Sequence, residues 1–408
     1  MALRNVSQIR QFLSSLHSGI GKSSVIYPST FLVSTGISII ELGIIFYIKD
    51  IFGATPSQVG YFTALWFFCY IIGCVFIRPI FKKVLPRYLL IGSTFFMFLF
   101  ILLVLNTKTF IYAYMYFSLY GMAMSFFWPP IMGWLSQDIE GSQLGKSMSY
   151  FSLSWNVGLI IGPFLAGILS AISPEVPLWA GGLLCLLAAI LITIASITLP
   201  KIRSDKSLDT AQSGETPKTD TSTLFRFPGW VGMFSTFVVI GVIVNIFPVF
   251  ARDELLLKKE IIGILMQSRT FIGTFVFVIL GHTTFWHFRV SQMIVGQICL
   301  ACAIFFMMFI SSPLLLVLFI SLLGALRAIS YSNSFFHGVS GSINRTRRMA
   351  IHEALLASGI ICGSLLGGLL YQHFSMTVVY TLCAAVVMFG VVIQTSLFFL
   401  LRTKQAVK

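Results

Sequence analysis

Apolar residues run through this chain in long blocks rather than in alternation. The blocks fall at about 25–48, 57–77, 88–106, 109–135, 142–172, 177–199, 228–251, 260–281, 289–310, 313–336, 347–371 and 375–401, with short polar stretches between them. Most are close to the roughly 20 residues that a helix needs to cross about 30 Å of hydrocarbon. A membrane-spanning β-strand would be about ten residues long and would alternate apolar with polar side chains. The pattern therefore predicts an all-α integral membrane protein with about twelve transmembrane helices. A composition of 57% hydrophobic and 10% charged residues, with a mean hydropathy of +0.92, excludes a soluble globular domain.

The basic N-terminal segment MALRNVSQIRQFLSSLHSGIGKSS precedes the first block, as it would in a cleaved signal peptide. The run from Val25 to Ile48 is too long for a signal core and contains Glu41, so it reads as an uncleaved first helix. All seven cysteines lie inside apolar blocks, and none has a metal-ligand spacing with histidine, which predicts neither a disulfide framework nor a zinc site.

The net charge of +14 would point to nucleic acid in a soluble protein, but here its placement explains it. With both termini on one side, 20 of the 27 Lys and Arg residues fall on that side, five on the other and two inside helices. The positive-inside rule then places both termini in the cytoplasm, as expected for a protein of the bacterial inner membrane, and leaves no nucleic-acid partner to invoke.

The longest polar interruption, Lys201 to Phe227, is rich in Ser, Thr, Lys and Asp and reads as a cytoplasmic linker. It divides the chain into an N-terminal bundle, 1–200, and a C-terminal bundle, 228–408, of about six helices each. The halves are related. Shifting WNVGLIIGPFLAG by 201 residues places Gly158 on Gly359, Gly162 on Gly363, Ala166 on Gly367 and Gly167 on Gly368. Shifting FYIKDIFGATPSQVG by 203 residues places Lys49 on Arg252, Asp50 on Asp253 and Gly60 on Gly263. The expected architecture is two pseudo-symmetric six-helix bundles.

Lipid tails are as apolar as leucine, so helices in a membrane associate through close backbone packing, and small residues four apart provide the groove. Gly158, Gly162 and Ala166 form such a face. Pro163 removes a backbone donor beside it and is expected to bend the helix. A purely structural crossing and a crossing that also slides would use the same residues.

Two six-helix halves, a cytoplasmic linker and the fifth-helix pattern G-x-x-x-G-P-x-x-[AG]-G together resemble the major facilitator superfamily (MFS) of secondary transporters, over essentially the whole chain. A further family glycine, nine residues earlier, is here Ser149. The basic loop after helix 2, RPIFKKVLPR, keeps Lys83 and Arg87 of the family pattern but lacks its aspartate. The resemblance implies alternating access, with helices 1, 4, 7 and 10 lining a central cavity and helices 2, 5, 8 and 11 flanking it. The glycine motif, Pro163, Lys83 and Arg87 would serve conformational change. The fifth-helix motif is associated in the family with antiporters that export substrate against a returning proton.

Three charged residues lie inside helices, where each is costly unless paired or wet: Glu41, Arg269 and Arg327. Tyr27, Thr30, Ser34, Ser38 and Glu41 recur at three- and four-residue intervals along helix 1. Arg327, Ser330, Tyr331, Ser334 and His337 do so along helix 10. These stripes predict a wet cavity, with Glu41, Arg269, Arg327, Ser38, Asn245 and Tyr331 as candidate substrate-binding or coupling residues. A structural Glu41–Arg269 pair is the alternative. Asn245 and Pro248 fit a polar kink in helix 7 or plain helix bending. Trp128, Pro129 and Pro130 resemble a family feature at the inner end of helix 4, where the resemblance implies a bend. His352 and Glu353 read as an interfacial charge cluster and His17, His282, His287 and His373 as solvated segment ends.

No H-E-x-x-H, G-x-S-x-G or paired-aspartate arrangement is present, so no enzyme is expected. The expectation is a monomeric, proton-coupled antiporter that exports a small organic molecule, anionic or zwitterionic because two arginines face one glutamate. It needs no cofactor beyond the proton gradient and has the lipid bilayer as its surroundings. An uptake permease for a sugar or organic anion is the alternative, and a transport-inactive receptor or scaffold a third reading.

Overall fold

The structure is a computed structural model that describes residues 22–76, 84–136, 141–198, 223–340, 342 and 345–406. Among them, 12 helices are long and apolar enough to cross a membrane: Ser23–Phe52, Pro56–Val75, Pro86–Asn106, Phe110–Leu135, Ser149–Ile172, Val176–Thr198, Arg226–Asp253, Lys259–Gly281, Val290–Phe309, Pro313–Gly338, Ile351–His373 and Met376–Leu400. They are called spans 1 to 12. The helices predicted from the apolar blocks are all present, with ends displaced by a few residues. Helix is the form that lets each segment satisfy its own backbone where no water is at hand. Buried hydroxyls follow the same rule and bond back along their own helices, as Thr30 does to the Ile26 carbonyl at 2.7 Å and Thr94 to that of Leu90 at 2.8 Å.

Two spans are interrupted where the sequence predicts. Span 4 is divided into Phe110–Ser125 and Trp128–Ser136, with Pro129 and Pro130 opening the second piece. Span 7 is divided at Ile246 into Arg226–Asn245 and Phe247–Asp253, where Pro248 has no N–H to give to the Val244 carbonyl. Pro28 and Pro163 lie inside unbroken helices. The expected linker lies outside the described residues up to position 222, and its last residues lead into span 7.

The repeat is visible in the backbone. Gly53 closes span 1 with φ +64°, and Leu256, 203 positions later, closes span 7 with φ +53°. The Ala54 N–H bonds to the Ile48 carbonyl at 3.2 Å and the Leu257 N–H to the Ala251 carbonyl at 2.9 Å, again 203 positions apart.

The chain divides into two compact units. The first comprises Met1–Ile40, Cys69–Gly162 and Leu178–Gly214; the second comprises Glu41–Phe68, Pro163–Pro177 and Glu215–Lys408. Spans 1, 2 and 5 are thus each shared, as is span 6 by its first two residues.

In the first unit, the glycine face of span 5 packs on span 1. A methyl group on Gly158 would lie 2.8 Å from the Thr35 nitrogen, and one on Gly162 would lie 2.6 Å from the Ser38 hydroxyl. Span 6 joins the same packing, since a methyl on Gly36 would lie 2.7 Å from the Gly181 carbonyl. Thr30, Ser34 and Ser38 are buried in consequence, so this part of the predicted polar stripe is a dry, tight crossing.

In the second unit, span 11 packs on span 7 through the repeat-related glycines. A methyl on Gly359 would meet the Phe234 carbonyl at 2.8 Å, and one on Gly363 would lie 3.1 Å from the Val238 Cα. Two further crossings place backbone on backbone. A methyl on Gly167 would lie 3.0 Å from the Gly263 Cα, and one on Gly60 would lie 3.5 Å from the Gly368 Cα. These two contacts are equivalent under the sequence repeat. Near them, Lys49 pairs with Asp253 at 2.5 Å, while Asp50 pairs with Arg252 and with Lys259 at 2.7 Å.

Candidate functional site

The second unit brings Glu41, Arg269, Arg327 and Tyr331 into one electrostatic neighbourhood. Spans 8 and 10 cross through two glycines. A methyl on Gly324 would lie 3.1 Å from the Arg269 Cα, and one on Gly273 would lie 3.2 Å from Arg327 Nη2. With no side chain at either glycine, the two arginines approach closely enough for their like charges to be felt. Glu41 supplies the opposite charge that Arg269 feels. Glu41, Arg269 and Arg327 are each partly exposed. A charged group within a span needs water or a partner rather than lipid around it. The Nε atoms of both arginines are buried with no hydrogen-bond partner among the described residues.

Aromatic rings extend from Arg327. Its guanidinium stands over the Phe277 ring at 5.7 Å, the distance of a cation–π contact. Phe277 meets Tyr331 edge to face at 5.4 Å. Tyr331 in turn meets the His352 ring at 4.7 Å. The Ser334 hydroxyl and His352 Nδ1 share a hydrogen bond of 2.8 Å. Tyr331 also feels the charges of Arg327 and Glu353. His352 is therefore a buried, bonded ring in the aromatic row rather than part of an interfacial cluster, whereas Glu353 beside it is exposed. His287 likewise stacks on Phe336 with ring centroids 3.9 Å apart rather than standing free in solvent.

The other sequence candidates lie elsewhere. Ser38 is in the first unit, where its hydroxyl makes a long contact of 3.5 Å to the Leu159 carbonyl. Asn245 is buried and gives its amide to the Gly241 carbonyl at 3.0 Å and the Ser364 hydroxyl at 2.8 Å, tying span 7 to span 11 beside the break. Gly158 and Gly162 form the crossing of spans 1 and 5, and Gly359 and Gly363 that of spans 7 and 11. The Pro163 carbonyl lies against Gly263, where an added methyl would come within 2.6 Å of it. Arg87 is buried at the start of span 3, with its guanidinium 4.9 Å from the Tyr88 ring centre. Lys83 lies outside the described residues.

Sequence reasoning missed Phe277, which is one phenylalanine among 40. It also missed a buried amide cluster on spans 7, 9, 10 and 12. There, Gln297 Nε2 donates to the Thr236 hydroxyl at 2.9 Å and the Ser330 hydroxyl at 2.6 Å. The Ser235 hydroxyl donates to Gln297 Oε1 at 3.1 Å. Gln394 Nε2 donates to the Pro228 carbonyl at 2.7 Å. The only sequence signal was a glutamine inside each of two apolar blocks. The cluster spends Ser330 on holding helices together, although Ser330 belongs to the predicted stripe of span 10.

Among the described residues no group of three His, Cys, Asp or Glu is arranged to hold a metal ion. The chemistry that these three charged side chains offer is attraction of a negatively charged group by the guanidiniums and proton transfer at the carboxylate.

Comparison with known proteins agrees with this architecture. The fold is similar to the crystal structure of the nucleoside transporter NupG, with a TM-score of 0.73 and 13% identity, covering 93% of this chain and 99% of that one. It is also similar to the crystal structure of a NupG mutant in which one aspartate is replaced by alanine, with a TM-score of 0.67 and 12% identity, covering 92% of this chain and 99% of that one. Among curated protein sequences none matches. Residues 26–340 match the sequence profile of the Major Facilitator Superfamily. That match spans well over half of the chain, and the chain belongs to the Major Facilitator Superfamily.

Proposed function

We propose that the protein is a proton-coupled antiporter that exports a small anionic or zwitterionic organic molecule. The observation that carries this reading is the placement of Glu41, Arg269 and Arg327 together in the second unit, partly exposed at membrane depth. Two guanidinium groups against one carboxylate favour a negative group on the substrate, and arginine offers it a two-pronged fork that stays charged without water. Glu41 is the group that takes and releases the proton.

The glycine crossings supply the surfaces on which the helices slide, and the family motif on span 5 supports export. By the charge bias, the Lys49 end of span 1 faces outside and both termini face the cytoplasm. The protein acts as a monomer in the bacterial cytoplasmic membrane.

Reconstitution into vesicles tests this reading. Preloaded vesicles should exchange a labelled member of a panel of metabolites and drugs by counterflow, and an imposed pH gradient should make them concentrate it. Counterflow without any response to pH would replace antiport by uniport. No exchange across neutral, cationic and anionic solutes, nucleosides and sugars included, would leave the receptor reading. A cysteine placed between Ala211 and Thr221 should be labelled only once the inner face is exposed.

A further inference from the structure

We infer that the substrate of this site is an aromatic anion, whose negative group sits on Arg327 and whose ring lies along Phe277 and Tyr331. The inference deepens the proposed transport reading and rests on its site. Its two halves come from different observations.

The anionic half comes from hydrogen-bond accounting. Arg327 has no carboxylate partner among the described residues, and its Nε–H, like that of Arg269, is buried without an acceptor. A buried, charged donor left unmade is costly, and a ligand oxygen is the group that relieves it. Glu41 is the one carboxylate whose charge Arg269 feels.

The aromatic half comes from what surrounds that charge. Arg327 is flanked by the Phe277 ring at 5.7 Å and, through it, by Tyr331. Tyr331 packs with Phe67 of span 2 against the apolar cluster of Met233, Phe237, Ile240 and Ile360. Phe277, Tyr331 and Phe67 all retain partial exposure. A hydrated inorganic anion or a short dicarboxylate would have nothing to place against these rings and would lose its hydration there. A flat ring joined to a carboxylate or similar anion fits both surfaces at once, with offset or edge-to-face ring contacts in place of water. The rings are fixed by their neighbours, as Tyr331 is held edge-on to His352, which Ser334 in turn holds, so little ordering remains to be done on binding.

The test is direct binding to the purified full-length protein in detergent, by calorimetry, with phenylacetate, indole-3-acetate and 2-naphthoate. The controls are cyclohexylacetate, 2-phenylethanol and succinate. At least one aromatic acid should bind, more tightly than its saturated counterpart by a few-fold to about tenfold, and both 2-phenylethanol and succinate should bind more weakly still. Phe277→Leu should lower the affinity for the aromatic acid and leave that for cyclohexylacetate unchanged. Arg327→Met should erase the preference for acids, and Arg327→Lys should retain part of it. Equal affinity for the saturated acid, a preference for succinate, or no binding of any of the three aromatic acids by protein that still melts cooperatively would each overturn the inference. Counterflow of some other solute alongside such a failure would leave the transport reading standing. Binding of an aromatic acid without its exchange across vesicles would keep the site and remove the transport reading.

Discussion

Lys49 and Asp253 are ion-paired at 2.5 Å, and the residues that correspond to them in the sequence repeat, Arg252 and Asp50, are paired with each other. Each repeat contributes a cation and then an anion at the end of its first helix, and each cation takes the other repeat's anion. The 203-residue shift that carries Lys49 to Arg252 and Asp50 to Asp253 therefore relates one pair to the other. Lys259 breaks the symmetry by adding a second cation to Asp50 at 2.7 Å and donating to the Ser170 carbonyl at 3.0 Å.

Pairs as accessible as these contribute about 0.2–1 kcal/mol each. Lys49→Asp and Asp253→Lys should each lower the melting temperature in detergent, and the double exchange should restore most of the loss. A double variant no closer to the parent than either single one would show that the pair contributes nothing.

The crossing of spans 1 and 5 leaves no room for a side chain at Gly162. Leucine there must displace Ser38 and the Ile39 backbone, at a cost of about 1–3 kcal/mol or more. Gly162→Leu should reach the membrane and lose transport. Gly92→Leu is the matched control, because nothing lies within 4 Å of a methyl at Gly92. It should leave transport unchanged, and equal damage at both positions would detach the effect from packing.

The repeat carries one conformation on two different residues. Gly53 adopts φ +64° freely, whereas Leu256 holds φ +53° against the contact of its Cβ with the backbone, at about 1–2 kcal/mol. A methyl at Gly53 meets no neighbour, so the cost of Gly53→Ala is purely conformational. Gly53→Ala should destabilise by about 1 kcal/mol and Leu256→Gly should not destabilise at all. Thermal melting of both variants reads the difference.

Glu41→Gln fixes an uncharged group in place of the carboxylate. The variant should still exchange substrate by counterflow and should fail to concentrate it when a pH gradient is imposed. Undiminished response to the gradient would make Glu41 a structural neighbour of Arg269 and turn attention to Glu353, the exposed acid whose charge Tyr331 feels.

Arg327→Lys keeps a positive charge and loses the planar fork that fits a carboxylate. It should raise the apparent KM with little change in maximal rate, and Arg327→Met should raise it further. Identical kinetics for arginine, lysine and methionine would place Arg327 outside the binding site.

The sequence by itself determined the twelve helices, the breaks near Trp128 and Pro248 and the internal repeat. Each of these rests on local chemistry: the length of an apolar run set against hydrocarbon thickness, the missing N–H of proline, and glycine at four-residue spacing. It also picked out the three charges inside helices, because a charge in an apolar block is conspicuous wherever the chain goes next. The tertiary structure decided which of these residues meet. Stripe periodicity assigned Ser34, Ser38 and Ser330 to a wet face, but a polar stripe looks the same in sequence whether it faces water or a row of glycines, and the partner helix settles which. Ser34 and Ser38 went to the span 5 crossing and Ser330 to the amide cluster around Gln297. Phe277 could not be distinguished from the other phenylalanines until the Gly273–Gly324 crossing set its helix against that of Arg327. Helical periodicity gives the direction of a side chain around its own axis; the distance and register to the next helix come from backbone packing between segments far apart in the chain, and a single sequence does not carry them.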